Sequence, residues 1–284
     1  KVMTNDIKIL AILISYYPDL EQTRGNILQF IDYIDTLIIW ENTSEKERDR
    51  FRIDLPEYND KIINMGCGEN MCIAFPLNEA VRYARLNQFT HLLTMDQDSF
   101  FETGHFKRYI EIVDSLKDKI LIVGPNPNHC DPNNSDTPTE VRTLITSGNI
   151  IKVDIFDSIG LYREDYKIDC IDYEFCFRAA RNGYKCFMIS SILLNHEFGK
   201  LQKTKLGFYI SNYSPFRLYY IAKNNIKLYR EYPEFIHLST VLSRIIKPFV
   251  KIIISEPNKT SKLVALFWGS IKGINSENSI LNIK

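Results

Sequence analysis

The chain has 284 residues, with 45% hydrophobic and 25% charged residues, an ordinary globular balance with enough length for one large domain, or a domain plus a tail. Thirty-five Lys and Arg offset thirty-five Asp and Glu, so no global field argues for nucleic acid. There is no signal-peptide pattern and no apolar run of about 18 residues, which excludes an expected spanning helix. The six cysteines form no C-x-x-C pair and read as reduced thiols, which favours a cytoplasmic compartment.

In chain order, Ile7 to Ser15 is a continuous apolar, β-branched run, predicted as a central buried strand. Tyr16-Tyr17-Pro18-Asp19 breaks it, and Leu20 to Ile34 has helical spacing. Strands are predicted at Thr36 to Trp40 and Lys61 to Met65, then a helix at Met71 to Leu86 and a strand at Thr90 to Met95. A helix at Phe106 to Leu116 and a strand at Ile120 to Val123 follow. Pro125 to Pro138 is rich in Pro, Asn and Asp and reads as a long loop, the kind of connection that is often functional. Thr143 to Thr146 is predicted as a strand, Ile171 to Arg181 as a helix, Lys185 to Ile189 as a strand and Ser214 to Tyr229 as a helix. The alternation predicts an α/β fold, a mostly parallel sheet flanked by helices, with strand ends along one rim. Beyond Tyr232 the texture changes to short apolar stretches with interspersed Lys and Arg, a helical C-terminal tail.

The segment His91 to Ser99 carries most of the chemistry. Asp96 and Asp98 follow a buried strand directly, and alternate residues of an extended chain point the same way. Such a pair can hold a hard divalent cation, and the cation a diphosphate; a solvated turn or a helix cap at Asp98 or Ser99 is the plainer alternative. Asp172 and Glu174 open a helix, where the dipole favours acids, and a carboxylate there can also act as general base. His196, after an apolar stretch, is either a structural hydrogen bonder or a third metal ligand. From Phe198 to Arg230 no Asp or Glu occurs, while Arg217, Lys223 and five other cations do, a local basic region suited to an anionic ligand or membrane surface. P-loop, G-x-G-x-x-G and G-x-S-x-G patterns are missing.

Taken in order, these groups resemble one family: the inverting GT-A glycosyltransferases of family 2, and within it the rhamnosyltransferase-like bacterial members. Ser15-Tyr16-Tyr17-Pro18 is similar to the family's T-Y-N-P-like turn, and Glu41-Asn42-Thr43-Ser44 to its D-N-x-S, with Glu for Asp. Asn70 to Asn78 resembles N-x-G-I-A-x-x-x-N with Cys72 in place of glycine, and Met95 to Ser99 resembles L-D-Q-D-S. Ser147-Gly148-Asn149, Ile159 to Glu164, Asp172 to Arg178, His196 to Gly199 and Arg217 to Asn224 resemble the later motifs, the last with Lys223 for Arg. The match covers roughly residues 7 to 230.

The resemblance implies a GT-A (nucleotide-diphospho-sugar transferase) fold. It implies a catalytic domain over 1–231, its nucleotide-binding half about 1–100 and its acceptor half about 101–231, and a tail over 232–284. It also implies a nucleotide-sugar donor (dTDP- or UDP-linked, with dTDP-rhamnose the subgroup's sugar), Mg²⁺ or Mn²⁺, and a glycan or lipid-linked acceptor in bacterial surface polysaccharide synthesis. Asp172 is then the base. Ser15, Tyr16, Glu41, Asn70, Asp96, Arg217 and Lys223 face the donor, Asp98 and His196 the metal, and Ser147, Gly148 and Glu174 the acceptor. The tail is expected to touch the inner face of the plasma membrane, to dimerise, or simply to pack on the domain. The rival readings are a UDP-hexose-using transferase of the same fold, a non-catalytic sugar-nucleotide-binding module, and a nucleotidyltransferase. The last would need an early Gly- and Lys-bearing phosphate loop, which the sequence lacks.

Overall fold

The computed structural model describes residues 7–116, 120–196, 202–204, 207 and 209–276. The expected contributions of Glu197, Phe198, Gly199, Lys200 and Lys205 lie outside these residues. The chain divides into two compact units: Lys1–Glu164 with Arg178–Glu197, and Asp165–Phe177 with Phe198–Lys284.

The first unit is a sheet covered by helices. Its strands are β1 (Ile9–Ser15), β2 (Thr36–Glu41), β3 (Ile62–Met65), β4 (His91–Asp96), β5 (Ser99–Phe101), β6 (Ile122–Pro127), β7 (Thr139–Val141), β8 (Asn149–Lys152) and β9 (Cys186–His196). Their order is β3-β2-β1-β4-β8-β6-β9-β5, with β7 also on β9. The helices are α1 (Leu20–Leu28), α2 (Ala74–Leu86), α3 (His105–Leu116) and α4 (Ile155–Ile159). Strands β3, β2, β1 and β4 are mutually parallel, as their crossovers through α1 and α2 require. Beyond β4 the sheet is mixed: β8 runs antiparallel to both β4 and β6, and β9 is parallel to β6 but antiparallel to β5 and β7. Leu10 to Leu13 and Leu37 to Ile39 are fully buried because helices cover both faces, so these strands read as unbroken apolar runs.

Three expectations shift. The helix from Leu20 ends at Leu28, capped at its start by the Asp19 carboxylate, and Ile31–Tyr33 forms a separate 3₁₀ turn. No strand covers Thr143 to Thr146; the pairing residues are Thr139–Val141 and Asn149–Lys152, because Ser147-Gly148 turns the chain between them. The strand placed at Lys185 to Ile189 runs on to His196, and that extension carries the histidine.

The second unit is helical. α5 (Ile171–Arg181) begins in it, the unit boundary falling before Arg178. A short β10 (Gln202–Lys203) and β11 (Tyr209–Ile210) pair follows, then α6 (Pro215–Glu231), α7 (Leu238–Ser255) and α8 (Lys259–Ile274). Ser214 caps α6 by accepting from the Arg217 N–H, and Pro215 occupies its first turn, where no donor is needed. Leu218, Ala222, Ile252 and Leu266 make its core. α8 lies backbone-close on α6: a Cβ at Gly269 would sit 2.3 Å from the Tyr219 carbonyl oxygen, and one at Gly273 2.7 Å from that of Lys223. The two glycines, four apart, clear one stripe of α8 for this approach. Gly269→Ala is therefore expected to destabilise the second unit by about 1–3 kcal/mol, read as a lower thermal midpoint; an unchanged midpoint would show that the helices part without cost.

Candidate active site

Register decides what meets at the rim of the parallel strands. Ser15 pairs with Glu41, and Ile14 pairs with Asp96. The ends of β1, β2 and β4 therefore deliver Ser15-Tyr16, Glu41-Asn42 and the Asp96 turn side by side, at the place where open α/β sheets bind ligands.

Gln97 fastens two of these together. Its side chain accepts from the Tyr16 N–H at 2.7 Å and donates to the Tyr16 carbonyl at 3.1 Å, and its own carbonyl accepts from Asn26 at 3.1 Å. The Tyr16 ring stays exposed and meets Tyr17 edge to face. Asn42 fastens the next pair: its N–H donates to the Ser15 carbonyl at 2.8 Å, its Nδ2 to the Cys72 carbonyl at 2.7 Å, and its Oδ1 accepts from the Met71 N–H at 2.9 Å. Asn70 turns the same loop by accepting from the Cys72 N–H at 2.8 Å. Cys72, which replaces a glycine of the motif, has a left-handed φ of 61°, a conformation that favours glycine. Glu41 is buried; Arg48 donates to its Oε2, while Oε1 is buried with no hydrogen-bond partner among the described residues. A buried carboxylate oxygen left so is costly unless a ligand donor completes it.

The metal candidates converge. Ligand atoms of Asp96, Asp98 and His196 lie within 4.8 Å of one another, with His196 Nδ1 3.9 Å from Asp96 Oδ2 and 4.0 Å from Asp98 Oδ1. β5 sets Ser99 opposite His196 in antiparallel register, and Ser99 Oγ lies 2.7 Å from the Nδ1 of that ring. Asn128 holds the His196 backbone from both sides, at 2.8 Å each. Two carboxylates and an imidazole, braced by such partners, fit a divalent cation. Ser147 accepts the Asp96 N–H at 3.0 Å. Gly148 has φ 85°, donates to the Thr94 carbonyl at 2.6 Å, and leaves no room for a Cβ, which would sit 2.6 Å from Pro125 Cγ. Both residues thus touch the structure that carries the aspartates.

In the first unit, Asn78 holds the Tyr162-Arg163-Glu164 segment through the Tyr162 backbone and the Glu164 side chain, at 2.8 to 2.9 Å. Arg178, 9% exposed, donates to the carbonyls of Ile159, Gly160 and Leu161.

In the second unit, the loop before α5 is strained, with positive φ at Lys167, Asp169 and Cys170, and such strain collects at functional sites. Asn224 Nδ2 holds the loop through the carbonyls of Tyr166, Ile168 and Asp169. Lys223 donates to the Asp165 carbonyl at 2.9 Å, and burial lowers its pKa. Arg217 contacts the Asp169 carboxylate at 3.2 Å and covers the Tyr213 ring at 4.4 Å. Glu174 is buried and accepts from the Tyr232 hydroxyl at 2.8 Å. Asp172 follows the loop; loss of water pushes its carboxyl up to about 6, the nearby Asp169 adding to the rise, while the Tyr173 N–H at 2.9 Å opposes it. Asp169 is raised by burial too, with Arg217 pulling against it.

Sequence reasoning left out Gln97, Asn42, Asn78 and Ser99. Each is a bracing residue inside a quoted motif, and the motif's length, rather than its acids, was the signal.

No family model matches the chain. Among curated proteins, the dTDP-rhamnosyl transferase RfbF of Shigella flexneri is 23% identical over 287 residues, covering 94% of this chain and 95% of that protein. Among solved structures, GalNAc-T7 with UDP, GalNAc and Mn²⁺ aligns with a TM-score of 0.55 at 11% identity, over 85% of this chain and 55% of that one. TarS of S. aureus aligns with a TM-score of 0.50 at 13% identity, over 98% and 46%. The chain spans about half the length of these solved structures, and at such identities the likeness is one of fold. The chain thus shares the fold of these glycosyltransferases, the GT-A fold that its motifs imply.

Mn²⁺ titrated into the protein is expected to bind, with Asp98→Ala abolishing binding and Ser99→Ala weakening it about tenfold or more through the loss of the His196 brace. Calorimetry reads both; equal affinity in the three proteins would remove the triad as a metal site.

Proposed function

We propose that the protein is a metal-dependent, inverting glycosyltransferase of family 2 that moves rhamnose from dTDP-rhamnose to a glycan or lipid-linked acceptor of a bacterial surface polysaccharide. The single observation that supports this reading best is the register that aligns Ser15 with Glu41 and Ile14 with Asp96. It sets an exposed aromatic ring, a buried carboxylate oxygen with no partner among the described residues, and the two aspartates of the Asp-Asp-His cluster at adjacent strand ends, the β5–β9 pairing adding His196. A pyrimidine nucleotide needs those three things: a face to stack on, an acceptor for its N–H or hydroxyl groups, and a countercharge for its diphosphate. The relative's name supplies the sugar, and the Mn²⁺ and UDP named with GalNAc-T7 fit the same half of the reading.

In this mechanism Tyr16 stacks on the base and Glu41 accepts from base or ribose, with Ser15 and Asn70 shaping the loops around them. Asp96 would contact the ribose or help to hold the ion. Asp98 and His196 would hold Mg²⁺ or Mn²⁺, which supplies a positive charge to the departing diphosphate. Arg217 and Lys223 lend positive charge on the donor side, and Ser147, Gly148 and Glu174 shape the acceptor side. Asp172 takes the proton of the attacking hydroxyl. The hydroxyl oxygen bonds to the anomeric carbon as the bond to the diphosphate oxygen breaks, and the electron pair leaves with the diphosphate. The anomeric configuration inverts. A carboxyl whose pKa is raised to about 6 is a stronger base than an ordinary aspartate and is still ionised at neutral pH.

The test is incubation with dTDP-rhamnose, UDP-hexoses and Mn²⁺, assayed for released nucleoside diphosphate; binding of every donor without release would contradict the reading. Asp172→Asn is expected to lower transfer by about two to four orders of magnitude while donor affinity stays within a factor of about two of the unaltered protein. The sign of the pH effect follows from the raised pKa. Transfer falls as pH drops below about 6, where the carboxylate is protonated, and folding stability falls as pH rises from the unfolded value near 3.8 through about 6, where the charge is penalised. In Asp172→Asn the acid limb should vanish and the stability slope should shrink, with Asp169 keeping its own share; an unchanged acid limb would reassign the base.

A further inference from the structure

Glu41 is completed on one side only, and the group on that side is Arg48. The arginine opens a 3₁₀ turn, Arg48–Phe51, in the segment that follows β2. That segment is pinned from two directions. Toward the end of β1, Glu47 accepts from the Tyr17 hydroxyl at 2.6 Å, and the Phe51 ring meets the Tyr17 ring edge to face at 5.1 Å. Toward the loop after β3, the Glu45 N–H donates to the Gly68 carbonyl at 3.1 Å. The Arg48 side chain is thereby carried to Glu41, where its Nε–H donates to Oε2. It is 38% exposed, the Glu41 side chain only 6%. Among the described residues Arg48 is the one cation within ion-pair distance of Glu41, and it pairs with no other carboxylate.

The pair has a chemical consequence. A guanidinium keeps its charge at any working pH, and a cation in contact favours the ionised form of a buried carboxyl. Glu41 is then an acceptor with no proton to give. Oε2 is spent on Arg48, so Oε1 is the oxygen left to choose among ligands. An N–H that faces it is bound. A ring nitrogen that carries a lone pair is repelled, because two acceptors then meet with no proton between them. Pyrimidines divide on this point: thymine and uracil carry N3–H, whereas N3 of cytosine is an acceptor. Without the arginine the choice would change. A carboxyl sealed from water with no cation beside it takes up a proton, and a carboxylic acid both donates and accepts. That suits N3 and the exocyclic amino group of cytosine together.

We infer that Arg48 is a positioning residue for donor choice: by holding Glu41 as an acceptor-only carboxylate, it makes the site take diphosphates of thymine or uracil and refuse those of cytosine. The inference rests on the transferase reading, since it needs a base that lies on Tyr16 with its edge toward Glu41. Arg48 itself touches no ligand in this scheme and acts through the carboxylate.

The test is calorimetric binding of dUDP and dCDP, each with Mn²⁺, to the full chain. The two ligands differ only along one edge of the base, so sugar and diphosphate contacts cancel in the ratio of affinities. The unaltered protein is expected to favour dUDP by about a hundredfold or more. Arg48→Met should cut that preference to about tenfold or less, while Arg48→Lys, which restores a cation, keeps most of it. Glu41→Gln presents an amide that both donates and accepts, and should level the preference with Arg48 intact. Arg48→Met combined with Glu41→Gln should then level it no further, because both changes act on one interaction. Arg48→Met that weakens dUDP and dCDP alike would mark the arginine as merely structural and overturn the inference. So would a full preference in Arg48→Met, or equal binding of the two ligands by the unaltered protein, which would put Glu41 on the ribose. Those failures, together with release of dTDP from dTDP-rhamnose, would sink this inference alone; an unaltered protein that binds neither dUDP nor dTDP would sink the transferase reading and this inference with it.

Discussion

Parallel register between β1, β2 and β4 is the constraint on which the first unit's chemistry depends. Side chains alternate along a strand, so a slip of one residue would turn Glu41 or Asp96 to the opposite face. What prevents the slip is burial on both faces. Leu10 to Leu13, Leu37 to Ile39 and Leu92 to Leu93 are sealed between helices, and moving any of these strands would break several close-packed contacts at once. The polar ends are then tied to each other largely by hydrogen bonds to backbone. Gln97 closes on Tyr16, and Asn42 joins Ser15 to the Cys72 loop. The carboxylates are thereby held in place before any ligand arrives, so a bound ligand has little ordering left to do.

The second unit solves a different problem. A raised carboxyl needs shelter from water, and a loop that passes through left-handed φ at Lys167, Asp169 and Cys170 provides it just ahead of Asp172. That loop would relax if its carbonyls were free. Asn224 binds three of them and Lys223 a fourth. Part of the basic stretch that looked like an anion surface is therefore spent on holding backbone.

Much of the fold was legible because long apolar runs and helical spacing leave few alternatives. β1, α5 and the ends of β2 and β4 stand within a residue or two of where the sequence places them. The rim acids Glu41, Asp96 and Asp98 were conspicuous for the same reason, since they sit directly after those runs. What failed was local. Thr143 to Thr146 has strand-like residues but joins no strand ladder among the described residues, because Ser147-Gly148 must turn toward Thr94. The extension of β9 to His196 depends on pairing with β5, a contact distant in sequence. The bracing roles of Gln97, Asn42 and Asn78 were equally hidden, because a side chain that bonds to backbone elsewhere leaves no periodic trace. Gly269 and Gly273 went unread in the sequence, because only α6 shows what they make room for.

The most direct measurement is a crystal structure with dTDP and Mn²⁺. The account predicts the ion on Asp98 and His196, the diphosphate on the ion, the thymine against Tyr16, and a ligand donor completing Glu41 Oε1. A nucleotide bound away from the ends of β1, β2 and β4, or an ion that leaves His196 and Asp98 untouched, would contradict it.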